Sequence, residues 1–311
     1  MKTIEVESLT KVRNKQTVID DVSFTVDSGE FMAILGSNNS GKTTLLKLLV
    51  GLITPTSGSI RINGFDIADS MNSLKDVGCV IDTPGCYDKY SPREMLRYNG
   101  KLRGMSGSSL EDEIRNVLEY TDLWEYRDAL VSKFSKGLMK KFALAGALLS
   151  NPSILILDEP GSGIDNDGLC GLQKILGDIK RDNRTVLMST HSYDRVSNYC
   201  SSVVMLEGGR CIAQGQLKDI FGDMGIFKPL VEFKTQTKLS SEIIEEINAL
   251  EGVHNVTKEN ENSFRVRFLD EPRELMELYR ILSDNGIELT AMNDIQTSIN
   301  DLFAYVKGGR K

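Results

Sequence analysis

FMAILGSNNSGKTTLLKLLV, Phe31 to Val50, decides the fold. The apolar run Phe31 to Leu35 has the length of a buried strand, and Leu45, Leu48, Leu49 and Leu52 recur at helical spacing after a small polar loop. A strand, a glycine-bearing loop and a helix are the setting in which the pattern GxxxxGK[ST] has chemical meaning, and Gly36 to Thr43 satisfies it. Backbone N–H groups of such a loop and of the helix start point at phosphate oxygens, and small side chains let the backbone come close. The candidate phosphate-binding set is thus Gly36, Ser37, Asn38, Asn39, Ser40, Gly41, Lys42, Thr43 and Thr44. Lys42 brings a positive charge to the terminal phosphates, and Thr43 offers a hydroxyl to a Mg²⁺ ion that bridges them. A chance match in a chain of this length arises about once in a hundred sequences before that context is required.

A second apolar run, SILILDEP, ends in Asp158 and Glu159. Open α/β sheets present their ligand sites at the carboxyl ends of their strands, and neighbouring strand residues diverge, so the two carboxylates can serve two tasks. Asp158 is expected in the Mg²⁺ shell, and Glu159 as the general base that polarises an attacking water. Alone, such a pair reads as an ordinary helix start; beside the loop it reads as catalytic. His191 follows the apolar strand TVLMST, either as a simple helix-start residue or as a hydrogen-bonding sensor of the terminal phosphate. The other histidine, His254, is read as structural.

Around these segments the pattern is α/β. Alternating IEVESL and VSFTV predict an antiparallel sheet at the start. Residues from Pro92 to about Leu130 read as helical, with Ser109 and Asp112 as a capping box. Leu172, Ile175, Leu176 and Ile179 predict a helix between two buried strands, the alternation of a parallel sheet. A composition break from Gly222 to Pro229 separates a larger domain, 1–225, from a small α+β domain, 226–311. The latter reads as strand, helix, hairpin, helix and strand: one helix from Ser240 to Gly252, strand Ser263 to Leu269, and a helix with Pro272 in its first turn and Asn285 and Gly286 at its end.

The 311 residues, 40% hydrophobic and 26% charged, suit two ordinary globular domains. No apolar run reaches the roughly 18 residues of a membrane span. A net charge of −7 argues against wholesale nucleic-acid binding. The five cysteines form no CxxC pair and read as free thiols of a reducing cytosol, without a metal site.

From about Ile4 to Phe221 the order of segments resembles the nucleotide-binding domain of ATP-binding cassette (ABC) transporters. FSKGLMKK, Phe134 to Lys141, stands where that family carries its LSGGQ signature, and SGID, Ser162 to Asp165, where it carries a loop that communicates between sites. The resemblance implies ATP and Mg²⁺ as ligands and an ATP-dependent head-to-tail homodimer. Ser135 and Gly137 would contact the nucleotide of the opposite subunit, Asp165 would link the two sites, and His191 would be the switch histidine. It also implies transmembrane permease partners, a cytoplasmic location on the inner face of the membrane, and no nucleic-acid partner. Arg13 stands near the position of the family's adenine-stacking aromatic residue, and a guanidinium can also stack. Asp82 replaces a glutamine that meets Mg²⁺ and the permease; an acidic residue there is similar to the bacitracin-type and lantibiotic-immunity exporter ATPases. Lys136 and Leu138 replace a glycine and a glutamine of the signature, and Asn39 a frequent loop glycine. The small second domain is similar to carboxy-terminal extensions on exporter ATPases. The alternative, a soluble ABC-type ATPase acting on ribosomes or DNA, would bring tandem cassettes or a long coiled-coil insertion, and neither is evident in this sequence.

Overall fold

The computed structural model describes residues 2–68, 71–81, 89–191, 199–221, 229–269, 275–295, 302–303 and 306. The chain forms two compact units, Met1–Gln216 and Leu217–Lys311.

The first unit opens with an antiparallel sheet of order β2-β1-β4-β5, built from β1 (Lys2–Arg13), β2 (Gln16–Asp27), β4 (Ser57–Ile62) and β5 (Phe65–Asp66). Its hairpins close on Asn14 and Lys15 (φ 49° and 65°) and on Asn63 and Gly64 (φ 50° and 79°). Positive φ at both central residues is what a tight hairpin turn requires. The strands run beyond the alternating cores read from the sequence.

The central sheet has the order β10-β9-β3-β8-β7-β6. Its strands are β3 (Phe31–Gly36), β6 (Val77–Val80), β7 (Ile154–Asp158), β8 (Thr185–Thr190), β9 (Ser202–Glu207) and β10 (Arg210–Gln216). All neighbours are parallel except β9 and β10. Every residue of β3, β7 and β8 is buried, the mark of strands covered on both faces. Helix α1 (Lys42–Leu49) shares one core with both sheets through Leu45, Leu46, Leu48 and Leu49. Leu52 falls beyond the helix and is exposed. Helix α5 (Asn166–Arg181) buries Leu172, Ile175, Leu176 and Ile179, as its spacing predicts.

The helical region holds α2 (Pro92–Leu102), α3 (Gly107–Tyr120) and α4 (Lys136–Leu148), with a separate core that includes Leu96, Ile114, Leu118, Phe142 and Leu149. Within the stretch read as helical, Pro92 to about Leu130, α2 and α3 are separated at Arg103 to Ser106, where Gly104 takes φ 81°. The capping box also lies elsewhere: Ser91 accepts from Glu94 N–H at 3.3 Å while Glu94 accepts from Ser91 N–H at 2.8 Å, ahead of Pro92. Ser109 instead sits inside α3 and donates to Ser106 O at 2.9 Å, because Ser106 is extended and Gly107, at φ 67°, turns the chain into the helix earlier.

The second unit begins with the short α6 (Leu217–Phe221). Then follow β11 (Leu230–Thr235), α7 (Ser241–Asn248), β12 (Val253–Asn260), β13 (Ser263–Phe268), α8 (Leu275–Asp284) and β14 (Leu289–Ile295). The antiparallel order β12-β13-β11-β14 places the first strand between the third and the last, a split βαβ arrangement. Phe233 and Phe264 stack at its centre with centroids 5.2 Å apart, under Ile247, Leu278 and Leu282. Ser240 caps α7. Pro272 lies outside the described residues. Among the described residues, no helix is long and apolar enough to cross a membrane.

Candidate functional site

The loop between β3 and α1 is shaped by two left-handed residues, Asn39 at φ 65° and Gly41 at φ 106°. Asparagine is among the side chains that tolerate this region best. Gly41 could hold no side chain, since a Cβ there would lie 2.8 Å from Ile19 and 3.0 Å from the Val18 carbonyl. Gly36 is just as confined, by Ser40 and by the Leu206 carbonyl. Because Gly41 is the N-cap of α1 and has no side chain, the first-turn amides are left for an anion.

Lys42 turns back over the loop, donating to Gly36 O at 2.8 Å and Ser37 O at 2.9 Å. Burial pushes its ammonium below the usual lysine range, and Glu159 and Asp158 oppose that shift. A phosphate in the cleft would add further negative charge beside this ammonium and favour its charged form.

Asp158 ends β7 with only 8% exposure, and both its oxygens are engaged. Thr43 Oγ1 donates to Oδ2 at 2.7 Å, and Ser189 Oγ donates to Oδ1. Ser189 is the register neighbour of Asp158 on the parallel strand β8 and also accepts from Glu159 N–H at 3.0 Å. Glu159 takes φ 44°, a conformation that costs a side-chain-bearing residue about 1–2 kcal/mol. Its Oε1 lies 2.9 Å from His191 Nδ1 and 3.8 Å from Lys42 Nζ, while Oε2 is buried without a hydrogen-bond partner. A carboxylate steadied at one oxygen and unpaired at the other keeps lone pairs free to accept a proton.

Of these groups Lys42, Thr43 and Glu159 line a cleft of about 840 Å³, and Asp158, Ser189 and His191 stand behind it as their hydrogen-bond partners. Its lining among the described residues is Asn38, Asn39, Gly41, Lys42, Thr43, Thr44 and Glu159, together with Gln16, Thr17, Val18 and Gly208. The last four have no motif. Gln16 to Val18 arrive because β2 crosses over the loop, and Gly208 because Gly209 N–H donates to Ser40 O at 3.1 Å. The Gly-Gly pair between two apolar runs is a hairpin signal that could have located the second contact. Ser189 too was detectable, since a serine inside an apolar buried strand needs a hydrogen-bond partner.

Arg13 pairs with Gln16 at the hairpin end and is not among the lining residues. Ser135, Gly137 and Asp165 also stand outside this cleft. Ser135 caps α4 by accepting from Leu138 N–H at 3.2 Å, and Asp165 caps α5 by accepting from Gly168 N–H at 3.0 Å. A Cβ on Gly137 would lie 3.2 Å from the Gly168 Cα, so the two helix starts abut. Asp82 lies outside the described residues.

Comparison with known proteins gives the family. The sequence model of the ABC transporter family matches residues 19–162. The chain is 33% identical over 205 residues to the ABC transporter ATP-binding protein NatA of Bacillus subtilis, covering 65% of this chain and 83% of that one. It is 27% identical over 310 residues to the bacitracin transport ATP-binding protein BcrA of Enterococcus faecalis, covering 98% and 96%. A solved ATP-binding subunit of an ABC transporter superposes with a TM-score of 0.65 at 32% identity, covering 72% of this chain and 93% of the other. On these likenesses the chain belongs to the ABC transporter family, as one of its ATP-binding, ATP-hydrolysing subunits.

Proposed function

We propose that this chain drives export through a separate transmembrane permease, as a homodimer that closes head-to-tail around two ATP molecules on the cytoplasmic face of the membrane. The observation that carries the hydrolytic part is the placement of Glu159 between Lys42 and His191, 3.8 Å and 2.9 Å away, with one carboxylate oxygen unpartnered.

Each residue then has a task. Loop amides from Gly36 to Thr44 hold the phosphates, and Lys42 supplies their counter-charge. The oxygens of Thr43 and Asp158, 2.7 Å apart, fit a divalent ion that takes oxygen ligands, and Asp82 would join them. When bound, Mg²⁺ would draw charge from the phosphate oxygens. Glu159 orients a water and takes its proton as that water attacks the terminal phosphorus and the bond from that phosphorus to the bridging oxygen breaks, ADP leaving with the oxygen; His191 fixes the glutamate and senses the phosphate. Ser135 and Gly137 serve the nucleotide of the second copy, and Asp165 relays between the two sites. Arg13 remains the candidate for stacking on the base.

Export is supported by two relatives. One is a Nod factor export ATP-binding protein of Neorhizobium galegae, 32% identical over 224 residues. The other is BcrA, whose likeness runs through the second unit as well as the first. Replacing Glu159 by Gln should retain ATP and slow turnover by roughly two to four orders of magnitude. Pulled from native membranes with Mg²⁺ and ATP, that variant should bring down one integral membrane protein in stoichiometric amount. Recovery of ribosomes or DNA without a membrane protein would overturn the transport reading.

A further inference from the structure

We infer that Lys140 and Ser189 are positioning residues for hydrolysis, which together clamp the main chain of Glu159 in its left-handed bend. The inference rests on the proposed role of Glu159 as general base. A residue with a side chain at φ 44° holds that conformation only where its surroundings fix it.

Here both backbone polar groups of Glu159 are fixed by side chains of other elements. Its N–H donates to Ser189 Oγ at 3.0 Å, and its C=O accepts from Lys140 Nζ at 3.2 Å. The same carbonyl also accepts from Ser162 N–H at 3.0 Å, which closes the turn after the glutamate. Ser189 has no exposed surface, so its hydroxyl is held by its place in β8. An ammonium on a carbonyl makes a charge-assisted hydrogen bond, stronger than a neutral one.

Lys140 lies on α4, one turn past Ser135 and Gly137. The helix start proposed to meet the second copy's ATP is thus tied directly to the glutamate that serves this copy's own ATP. Its neighbour Lys141 turns elsewhere, to Asp122 at 3.6 Å. A shift of α4 on dimer closure would reach Glu159 through Lys140 and the peptide after it, whereas Ser189 anchors the preceding peptide to the sheet.

The test is a double-mutant cycle on the full chain, read by single-turnover ATP hydrolysis and by ATP affinity. Lys140→Met keeps the stem and removes the charge, Lys140→Arg restores a donor, and Ser189→Ala removes the hydroxyl. A misplaced general base should lower the hydrolysis rate about 10²-fold in Lys140→Met, and at least as much in Ser189→Ala, which also frees an oxygen of Asp158. ATP affinity should stay within about threefold of wild type in Lys140→Met, and Lys140→Arg should recover most of the rate. In a Glu159→Gln background the Lys140→Met change should cost nothing further, because its effect passes through the carboxylate. An equal loss in that background, a loss of affinity in proportion to rate, or an unchanged rate would each overturn the clamp. Near-normal turnover of Glu159→Gln alone would instead remove the reading on which the clamp rests.

Discussion

The hydroxyl of Thr43 donates to the carboxylate of Asp158 at 2.7 Å, joining the first turn of α1 to the end of β7 across 115 residues of chain. Ser189 holds the other oxygen of the same carboxylate, so Asp158 cannot swing away from the loop. Two oxygens fixed side by side favour a hard cation over water alone. Thr43→Ala should raise the Mg²⁺ concentration for half-maximal ATPase activity about tenfold, the equivalent of some 1.4 kcal/mol. ATP affinity measured in EDTA should hardly change. A Mg²⁺ dependence identical to wild type would remove Thr43 from the metal site.

Lys42 presents a different balance, because it is buried at 7% exposure and its ammonium already serves two loop carbonyls. Lys42→Ala deletes the proposed counter-ion of the phosphates and also leaves the carbonyls of Gly36 and Ser37 without that donor. Loss of a charged hydrogen-bond partner costs about 1.5–3 kcal/mol, so ATP affinity should fall about ten- to a hundredfold. Lys42→Arg should not restore it, since a planar guanidinium cannot replace a compact ammonium between two carbonyls. Equilibrium binding of a fluorescent ATP analogue decides the matter, and equal affinity in Lys42→Ala would exclude the proposed role.

Gly209 binds three pieces together. Its N–H donates to Ser40 O at 3.1 Å, its C=O accepts from Asp20 N–H at 2.9 Å, and a Cβ on it would lie 2.3 Å from the Val18 carbonyl. Gly208 has a positive φ as well, 53°, but open space around it. Gly209→Ala should therefore destabilise the first unit by about 1–3 kcal/mol through overpacking, on top of the left-handed cost. Gly208→Ala should cost only about 1 kcal/mol. Urea denaturation of the two variants separates the effects, and equal midpoints would show that the contact with Val18 relaxes freely.

What the sequence made legible follows from distance along the chain. The loop, the acidic strand end and the buried faces of α1 and α5 are local patterns, in which spacing alone states the geometry. Ser189 belongs to no local pattern, because its importance comes from lying beside Asp158 on a neighbouring strand, 31 residues away. Gln16, Thr17 and Val18 join the cleft through a hairpin crossing that no short motif encodes. The strand, helix and hairpin succession of the second unit was readable, but the insertion of β11 between β13 and β14 is a choice of partners, which propensity does not report. The misplaced capping box teaches the same point on a smaller scale: Ser109 and Asp112 have the right spacing, but Gly107 had already turned the chain.

Tyr120 links the helical region to the C-terminal end of α5, since its hydroxyl donates to Asp182 at 3.1 Å just after that helix. Burial pushes its pKa up from 10 to about 12; the Asp182 charge and hydrogen bond act in the same direction, and Arg184 and Arg181 partly oppose them. The sign follows from linkage: below pH 10 the phenol is neutral in both the folded and the unfolded chain, and its contribution is fully present. From pH 10 to about 12 the unfolded chain loses the proton first, so folding stability drains away across that window. Tyr120→Phe should remove this component, giving a shallower loss of denaturation midpoint above pH 10 than wild type. In a phenolate absorbance titration of the folded protein, the same variant should lose one late-titrating tyrosine. A wild-type titration with that tyrosine ionising near its ordinary value would mean that the contact with Asp182 is not kept in solution.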